Sequence, residues 1–157
     1  MSGGWTFGVK LRDRMFHLLF LLTRPMTLGV RAAALDAQGR VFLVRHTYVP
    51  GWYLPGGGVE RGETVEEALT RELDEEGNIA MTAPPELFGV YFNRRSSPRD
   101  HVVLYVVRAF RQSGPRGPDR ELAETGFFPL DALPEDTTAA TRARLAEIAG
   151  APRSADW

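Results

Sequence analysis

The stretch "GGVERGETVEEALTRELDEEGNI", residues 57–79, joins a glycine-rich beginning to a strongly acidic helical pattern. On a helix with about 100° per residue, its small and apolar residues fall on one side. Thr64 with Glu67 three residues later forms a capping-box pattern, which marks the first turn of a helix. We therefore predict a helix that begins near Thr64 and packs against the rest of the chain through Val65, Ala68, Leu69 and Leu73.

The same helix carries an unusual arrangement of carboxylates. Glu72, Glu75 and Glu76 lie on or beside the apolar side of the last turn, where they repel one another and the helix carbonyls. Their charge must therefore be offset by bound protons, by ion pairs with basic side chains or by a cation. Clustered carboxylate oxygens favour Mg²⁺ or Mn²⁺. The remaining acidic residues point away and are interpreted as solvent-exposed: Glu66, Glu67 and Asp74.

The other segments alternate between strand and helix patterns. Two hairpins are predicted, one from residues 26–37 and 40–48 and one from residues 86–94 and 101–110. A short strand or turn, a final helix and a loose tail complete the chain, at residues 125–130, 137–150 and 151–157. Strands with one helix between them and another after them predict an α/β fold with a mixed sheet between helices.

The first 24 residues contain a second helical pattern. Lys10, Arg12 and Arg14 precede an apolar run at residues 15–22, an order that resembles a signal peptide. The run is far shorter than the roughly 20 apolar residues of a membrane-spanning helix. We therefore expect a helical extension that packs on the domain and no membrane partner, with export or membrane-surface docking as the alternative.

Bulk composition narrows the function. The length of 157 residues fits one domain, and 19 basic against 20 acidic residues leave no general attraction to nucleic acid. The chain contains no cysteine, so it has neither a thiolate nucleophile nor a cysteine-ligated zinc site. A metal would have to bind oxygen or imidazole, and the composition suits a cytoplasmic location.

Residues 57–79 resemble the signature of the Nudix (MutT-like) hydrolases. That signature places a glycine, a glutamate, an Arg-Glu pair and a Glu-Glu pair at set spacings. The matching residues here are Gly57, Glu63, Arg71, Glu72, Leu73, Glu75, Glu76 and Ile79. Asn78 stands where the family has glycine, and asparagine tolerates the left-handed conformation expected there. The resemblance implies a Nudix-type α/β/α sandwich over residues 25–150, with residues 1–24 as an extension.

The resemblance also implies roles for individual residues. Glu72, Glu75 and Glu76 would bind Mg²⁺, or Mn²⁺, with help from the backbone carbonyl of Gly56. Glu63 and Arg71 would form an ion pair that holds the Gly57 loop against the helix. A further acidic residue often comes from a later loop, and Glu121 is our candidate, with Glu124 as the second choice. The general base would be Glu72 or Glu121.

The implied reaction is metal-dependent cleavage of a diphosphate linkage in a small molecule of the type nucleoside diphosphate-X. Arg45, His46, Gly58 and Tyr53 are candidates for substrate binding, because they lie in or near the glycine loop. Several other residues are interpreted as solvent-exposed or as packing residues: Trp52, Tyr91, Arg94, Arg95 and Arg99. Motifs of particular Nudix subfamilies are absent, so the substrate stays open. A nucleotide-sensing module that does not hydrolyse is the alternative, and a homodimer is a further expectation.

Overall fold

The computed structural model describes residues 15, 16 and 18–157. A first helix, α1, contains residues 15–16 and 18–23. The elements that follow are β1 (Thr27–Ala34), β2 (Val41–His46), β3 (Trp52–Tyr53), α2 (Val65–Gly77), β4 (Ile79–Met81), β5 (Glu86–Phe92), β6 (Asp100–Val107), β7 (Phe110–Gln112), β8 (Leu122–Phe128) and α3 (Ala139–Ile148). Within the described residues, no helix combines the length and the apolar character needed to cross a membrane.

The strands form three small sheets. One has the order β1-β6-β5, in which β1 and β6 are parallel and β5 and β6 antiparallel. The second has the antiparallel order β3-β2-β8, and β4 pairs with β7. The prediction of an α/β fold with mixed strand directions is confirmed, and so is the hairpin of β5 and β6.

The predicted hairpin of β1 and β2 is wrong. A tight turn does form, because the Asp36 N–H donates to the Arg40 carbonyl at 3.0 Å and Leu35 makes a single bridge to Val41. Beyond the turn the strands separate, and β1 pairs along its whole length with β6. The end of β1 is buried on both faces, as is typical of a parallel strand, and the turn pattern alone could not reveal this.

Two apolar clusters fill the interior, one on each side of the sheet. Val30, Val103 and Leu69 belong to the cluster beneath α2, whereas Ala33 and Leu145 belong to the cluster beneath α3. Helices therefore cover both faces of the β1-β6-β5 sheet. This is the arrangement expected for an α/β/α sandwich.

Helix α2 begins and ends as its sequence predicts. The Thr64 side chain accepts from the Glu67 N–H, and the Glu67 carboxylate accepts from the Thr64 N–H at 2.7 Å, which completes the capping box. Asn78 adopts the left-handed conformation at φ 52° and ψ 35°. The last turn, with its three clustered glutamates, is therefore held in a regular helix up to Gly77.

Both ends of the chain differ from expectation. The tail is not loose, because the Trp157 N–H donates to the Phe92 carbonyl at 3.0 Å and the Trp157 ring packs edge-on against Tyr91. Helix α1 does not pack on the domain, because its described apolar side chains are between 46% and 74% exposed. The two interior clusters form without this helix.

Candidate functional site

The glycine loop lies directly against β1. The Val30 N–H donates to the Gly57 carbonyl at 2.8 Å, and the Ala32 N–H donates to the Pro55 carbonyl at 2.9 Å. Gly56 has φ 138°, and a Cβ atom built on it would lie 2.1 Å from the Val30 carbonyl oxygen. Only glycine fits at this position, so the loop backbone can lie in direct contact with the strand.

The Gly57 backbone lies equally close to α2. A Cβ atom on Gly57 would lie 2.3 Å from Oε1 of Glu72, whereas one on Gly58 would have no heavy atom within 4 Å. Glu72 therefore rests on the bare backbone of the loop. Its carboxylate is held between that backbone and Arg71, whose guanidinium donates to Oε1 at 2.8 Å.

Arg71 connects the helix to the loop. Its guanidinium donates to both carboxylate oxygens of Glu63, at 2.9 and 3.1 Å, and to the Gly58 carbonyl at 3.2 Å. It also lies 3.4 Å from a carboxylate oxygen of Glu75. The hydrogen bonds from Arg71 lower the pKa of Glu63, and the carboxylates of Glu63 and Glu72 raise the pKa of Arg71 above its usual range.

Glu76 is the most buried of the three clustered glutamates. Its Oε2 atom accepts from the Gly56 N–H at 2.7 Å, and its Oε1 atom lies 3.7 Å from Nε2 of His46. Burial raises its pKa to about 7, although the Gly56 N–H and the charge of Arg31 act in the opposite direction. Among the described residues, the positive charge of Arg31 does not outweigh this burial, so the carboxylate gains by binding either a proton or a metal ion.

Arg31 is a residue of this site that sequence reasoning missed. Its guanidinium donates to the carbonyls of Gly56 and Leu54, and it holds the loop from the β1 side. The sequence did contain a signal for this role, because Arg31 is the one charged residue among the small and apolar residues of "LGVRAAA" in β1. A charged residue in a buried strand requires partners, and here they are loop carbonyls.

The loop that follows β7 brings further acidic groups to the end of α2. Arg116 donates to the Glu75 carbonyl at 2.8 Å, and its guanidinium pairs with Asp119. Asp119 in turn accepts from the N–H groups of Glu121 and Leu122, each at 2.8 Å. Sequence reasoning named Glu121 but missed Arg116 and Asp119, because the glycines and prolines around them are typical of a flexible loop.

These elements enclose one acidic cavity of about 350 Å³. It is lined by Glu72, Glu75, Glu76, Arg116, Asp119, Glu121 and Leu122. Five carboxylates thus face one guanidinium in the lining. Within the described residues, no three acidic or histidine side chains form a ready metal site as they stand, because Arg71 and the Gly56 N–H hold the glutamates.

A second cavity, of about 450 Å³, begins at the end of β2. His46 lies in its wall with its side chain 10% exposed, and its ring centroid is 5.2 Å from that of Tyr48 and 5.8 Å from that of Tyr53. Burial lowers the pKa of His46, which keeps the imidazole neutral at neutral pH. Since His46 also approaches Glu76, it connects the acidic cavity with this aromatic one.

Other candidates lie away from the acidic cavity. Arg45 pairs with Glu124 at 2.9 Å, so Glu124 is engaged on β8 while Glu121 reaches the cavity. Trp52 and Tyr91 are buried in the cluster beneath α3, in agreement with the packing interpretation. Arg94 pairs with Asp156 beside the tail, on the α3 side.

The fold and this cavity define a class of protein: an α/β/α sandwich in which a glutamate-rich helix faces a glycine loop. The chain belongs to the Nudix family, since the NUDIX domain model matches residues 25–147.

Relatives of known name support the same membership. The chain is 33% identical to an ADP-ribose pyrophosphatase of Methanocaldococcus jannaschii over 132 residues, which are 81% of this chain and 74% of that protein. It is 41% identical to an RNA pyrophosphohydrolase of Gluconobacter oxydans over 61 residues, or 35% of this chain and 36% of that one. Among solved structures, a MutT NUDIX hydrolase from Burkholderia pseudomallei matches with a TM-score of 0.67 and 32% identity, covering 78% of this chain and 97% of its own.

Proposed function

We propose that this chain is a metal-dependent hydrolase that cleaves the diphosphate linkage of a nucleoside diphosphate-X molecule. The observation that carries the proposal is the cavity in which α2 and the loop after β7 bring five carboxylates together, two of them, Glu72 and Glu76, against the glycine loop. Such a concentration of negative charge favours a divalent cation, and a divalent cation is what two adjacent phosphates require. Similarity to an ADP-ribose pyrophosphatase favours a sugar as X, with ADP-ribose as the first candidate.

The residues present fit Mg²⁺ or Mn²⁺. Glu72, Glu75, Glu76 and Glu121 offer hard oxygen donors around one cavity, whereas the carbonyl of Gly56, the further donor that the sequence suggested, accepts a hydrogen bond from Arg31. Glu76 supports this assignment most directly, since it is buried and has a raised pKa. When bound, the metal ion would offset phosphate charge, lower the pKa of a water molecule and stabilise the leaving phosphate.

The surrounding residues would orient this donor set. Arg71 and Glu63 tie α2 to the glycine loop, so that Glu72 keeps its position when substrate enters. Glu72 and Glu121 are the candidates for the general base, because both line the cavity and can accept a proton from water.

The aromatic cavity would receive another part of the substrate. His46 lies between Glu76 and Tyr48, and the exposed ring of Tyr48 can stack on a planar group. The open space beside Gly58 allows a phosphate to approach the backbone. Arg45 can contact an anionic group after it leaves Glu124, a surface ion pair that contributes little stability.

Hydrolysis assays test the proposal directly. We expect the purified protein with Mg²⁺ to release phosphate-containing products from at least one member of a panel of ADP-ribose, nucleotide sugars, nucleoside triphosphates and dinucleoside polyphosphates. Glu75→Gln should lower kcat by at least about a hundredfold. Asp74→Asn is the matched control, because Asp74 is exposed on the opposite side of the same helix turn.

Equal loss of activity in both variants, or turnover in the presence of EDTA, would contradict the proposal. Binding of Mg²⁺ and nucleotide without any turnover would favour the sensing alternative. A cytoplasmic location and a homodimer are further parts of the proposal, to be tested by fractionation and by sedimentation.

A further inference from the structure

Helix α1 presents apolar side chains to solvent on every side. The exposed fraction ranges from 46% to 74% for its large apolar residues: Met15, Phe16, Leu18, Leu19, Phe20, Leu21 and Leu22. Met26, in the connection to β1, is 58% exposed as well. A helix that is apolar all round is normally buried, and a contiguous exposed apolar patch marks a contact surface. The described part of the chain therefore leaves this apolar surface uncovered.

Basic residues flank this apolar run on both sides. Lys10, Arg12 and Arg14 precede it and Arg24 follows it, whereas Asp13 is the one acidic residue among residues 1–24. These 24 residues carry four positive charges and one negative charge, a net charge of +3, and the whole chain carries −1, so the remaining 133 residues carry −4. The positive charge is thus concentrated around the apolar helix.

We propose that α1 docks on the surface of an anionic lipid bilayer. Its apolar side chains would enter the boundary between head groups and acyl chains, and the flanking basic residues would contact lipid phosphates. The basic residues would contribute through attraction to anionic head groups, and the leucines through burial of apolar surface. The run is too short to span the roughly 20 residues of a bilayer core, so the helix lies in the interface.

A bilayer fits the helix better than a second copy of the chain does. Two α1 helices packed against each other would each bury one stripe and leave the opposite stripe in water. An antiparallel pair would also place Arg24 of one copy beside the basic residues at 10–14 of the other, and like charges repel. Anionic lipid complements those charges and surrounds more of the helix.

Vesicle co-sedimentation tests this inference on the full chain. Wild-type protein is expected to sediment with phosphatidylcholine vesicles that contain phosphatidylglycerol, and less with phosphatidylcholine alone or at high salt. The double variant Leu21→Asp with Leu22→Asp should bind at least about tenfold more weakly, because it removes the two most exposed leucines of α1. Leu87→Asp, on the exposed side of β5, is the matched control and should bind as wild type does.

Circular dichroism and the hydrolysis assay show whether each variant remains folded, since none of these leucines lines the acidic cavity. Failure of wild type to sediment with anionic vesicles would overturn the inference. So would equal binding by the Leu21/Leu22 variant, equal loss in Leu87→Asp, or an α1-dependent dimer in sedimentation velocity that excludes lipid. Each of these results leaves the hydrolase proposal unaffected, because that proposal depends on the glutamates of α2.

Discussion

Gly57 and Gly58 are adjacent glycines, yet the structure leaves room for a side chain at only one of them. A methyl group on Gly57 would collide with the Glu72 carboxylate at 2.3 Å, whereas a methyl group on Gly58 would meet open space. The carboxylate is the end of a flexible side chain and can move aside. Substitution of Gly57 should therefore change the donor set more than it changes stability.

We expect Gly57→Ala to weaken Mg²⁺ binding about tenfold or more, while the free energy of unfolding changes by less than about 1 kcal/mol. Gly58→Ala should leave both quantities near their wild-type values. Titration calorimetry with Mg²⁺ and urea denaturation measure them. Similar losses of Mg²⁺ affinity in the two variants would show that Glu72 does not depend on the bare backbone of Gly57.

The buried carboxyl of Glu76 makes the stability of the metal-free protein depend on pH. Its pKa is about 7 in the folded protein against an ordinary value of 4.5, so between these values the folded state binds a proton that the unfolded chain has released. Stability should therefore fall as pH rises from about 5 to 8 in EDTA, by up to about 3 kcal/mol from this group.

His46 acts in the opposite direction, because burial lowers its pKa and its contribution increases with pH. The contribution of Glu76 is thus best measured as the difference between wild type and Glu76→Gln in urea denaturation across this pH range. Wild type should lose stability relative to the variant as pH rises. Parallel curves would show that Glu76 titrates normally.

The loop between β7 and β8 is held in its conformation by a few side chains. Asp119 accepts two backbone N–H groups and pairs with Arg116, which in turn holds the Glu75 carbonyl. These contacts place Glu121 at the cavity. Removal of Asp119 should therefore loosen the loop without touching α2.

Asp119→Ala should lower kcat by about tenfold, less than Glu75→Gln, and should lower stability slightly through the lost hydrogen bonds. Asp131→Ala, at an exposed position between β8 and α3, is the control and should change neither. Steady-state kinetics with the substrate found in the panel and urea denaturation provide the measurements. Unchanged kcat in a folded Asp119→Ala protein would mean that Glu121 needs no fixed loop.

The elements differ in how much the sequence alone reveals about them. Helix α2 was predictable because its capping box, its apolar side and its terminal Asn78 all depend on residues close in sequence. The separation of β1 from β2 was not predictable, because it depends on pairing with β6 about 70 residues later. Arg31 and Arg116 escaped notice for the same reason, since each contacts a loop or a helix distant in sequence.

Across the whole fold, the residues of the candidate site and the residues that pack the tail lie on opposite sides of the sheet. Glutamates and glycines gather on the α2 side, where the cavity lies, whereas the cluster beneath α3 contains aromatic and aliphatic side chains and receives the tail. Trp157 packs against Tyr91. The guanidinium of Arg144 lies 4.3 Å from the ring centroid of Tyr91 and 5.7 Å from that of Trp157. The buried carboxylate of Glu147 accepts from the Tyr91 hydroxyl and from Arg144. The tail therefore stabilises the fold from the side opposite the cavity.

Trp157→Ala is expected to lower the free energy of unfolding by about 1–3 kcal/mol, because it removes a partly buried aromatic ring and its contact with Arg144. Mg²⁺ affinity and kcat should stay unchanged at temperatures where the variant is folded, since Trp157 lies in the α3 cluster.

Tyr48→Ala, at a ring that is 71% exposed beside the aromatic cavity, should show the reverse pattern, with normal stability and altered KM. Urea denaturation together with kinetics on both proteins separates the two effects. A folded Trp157→Ala protein that loses Mg²⁺ binding would show that the tail and the cavity are coupled through the sheet.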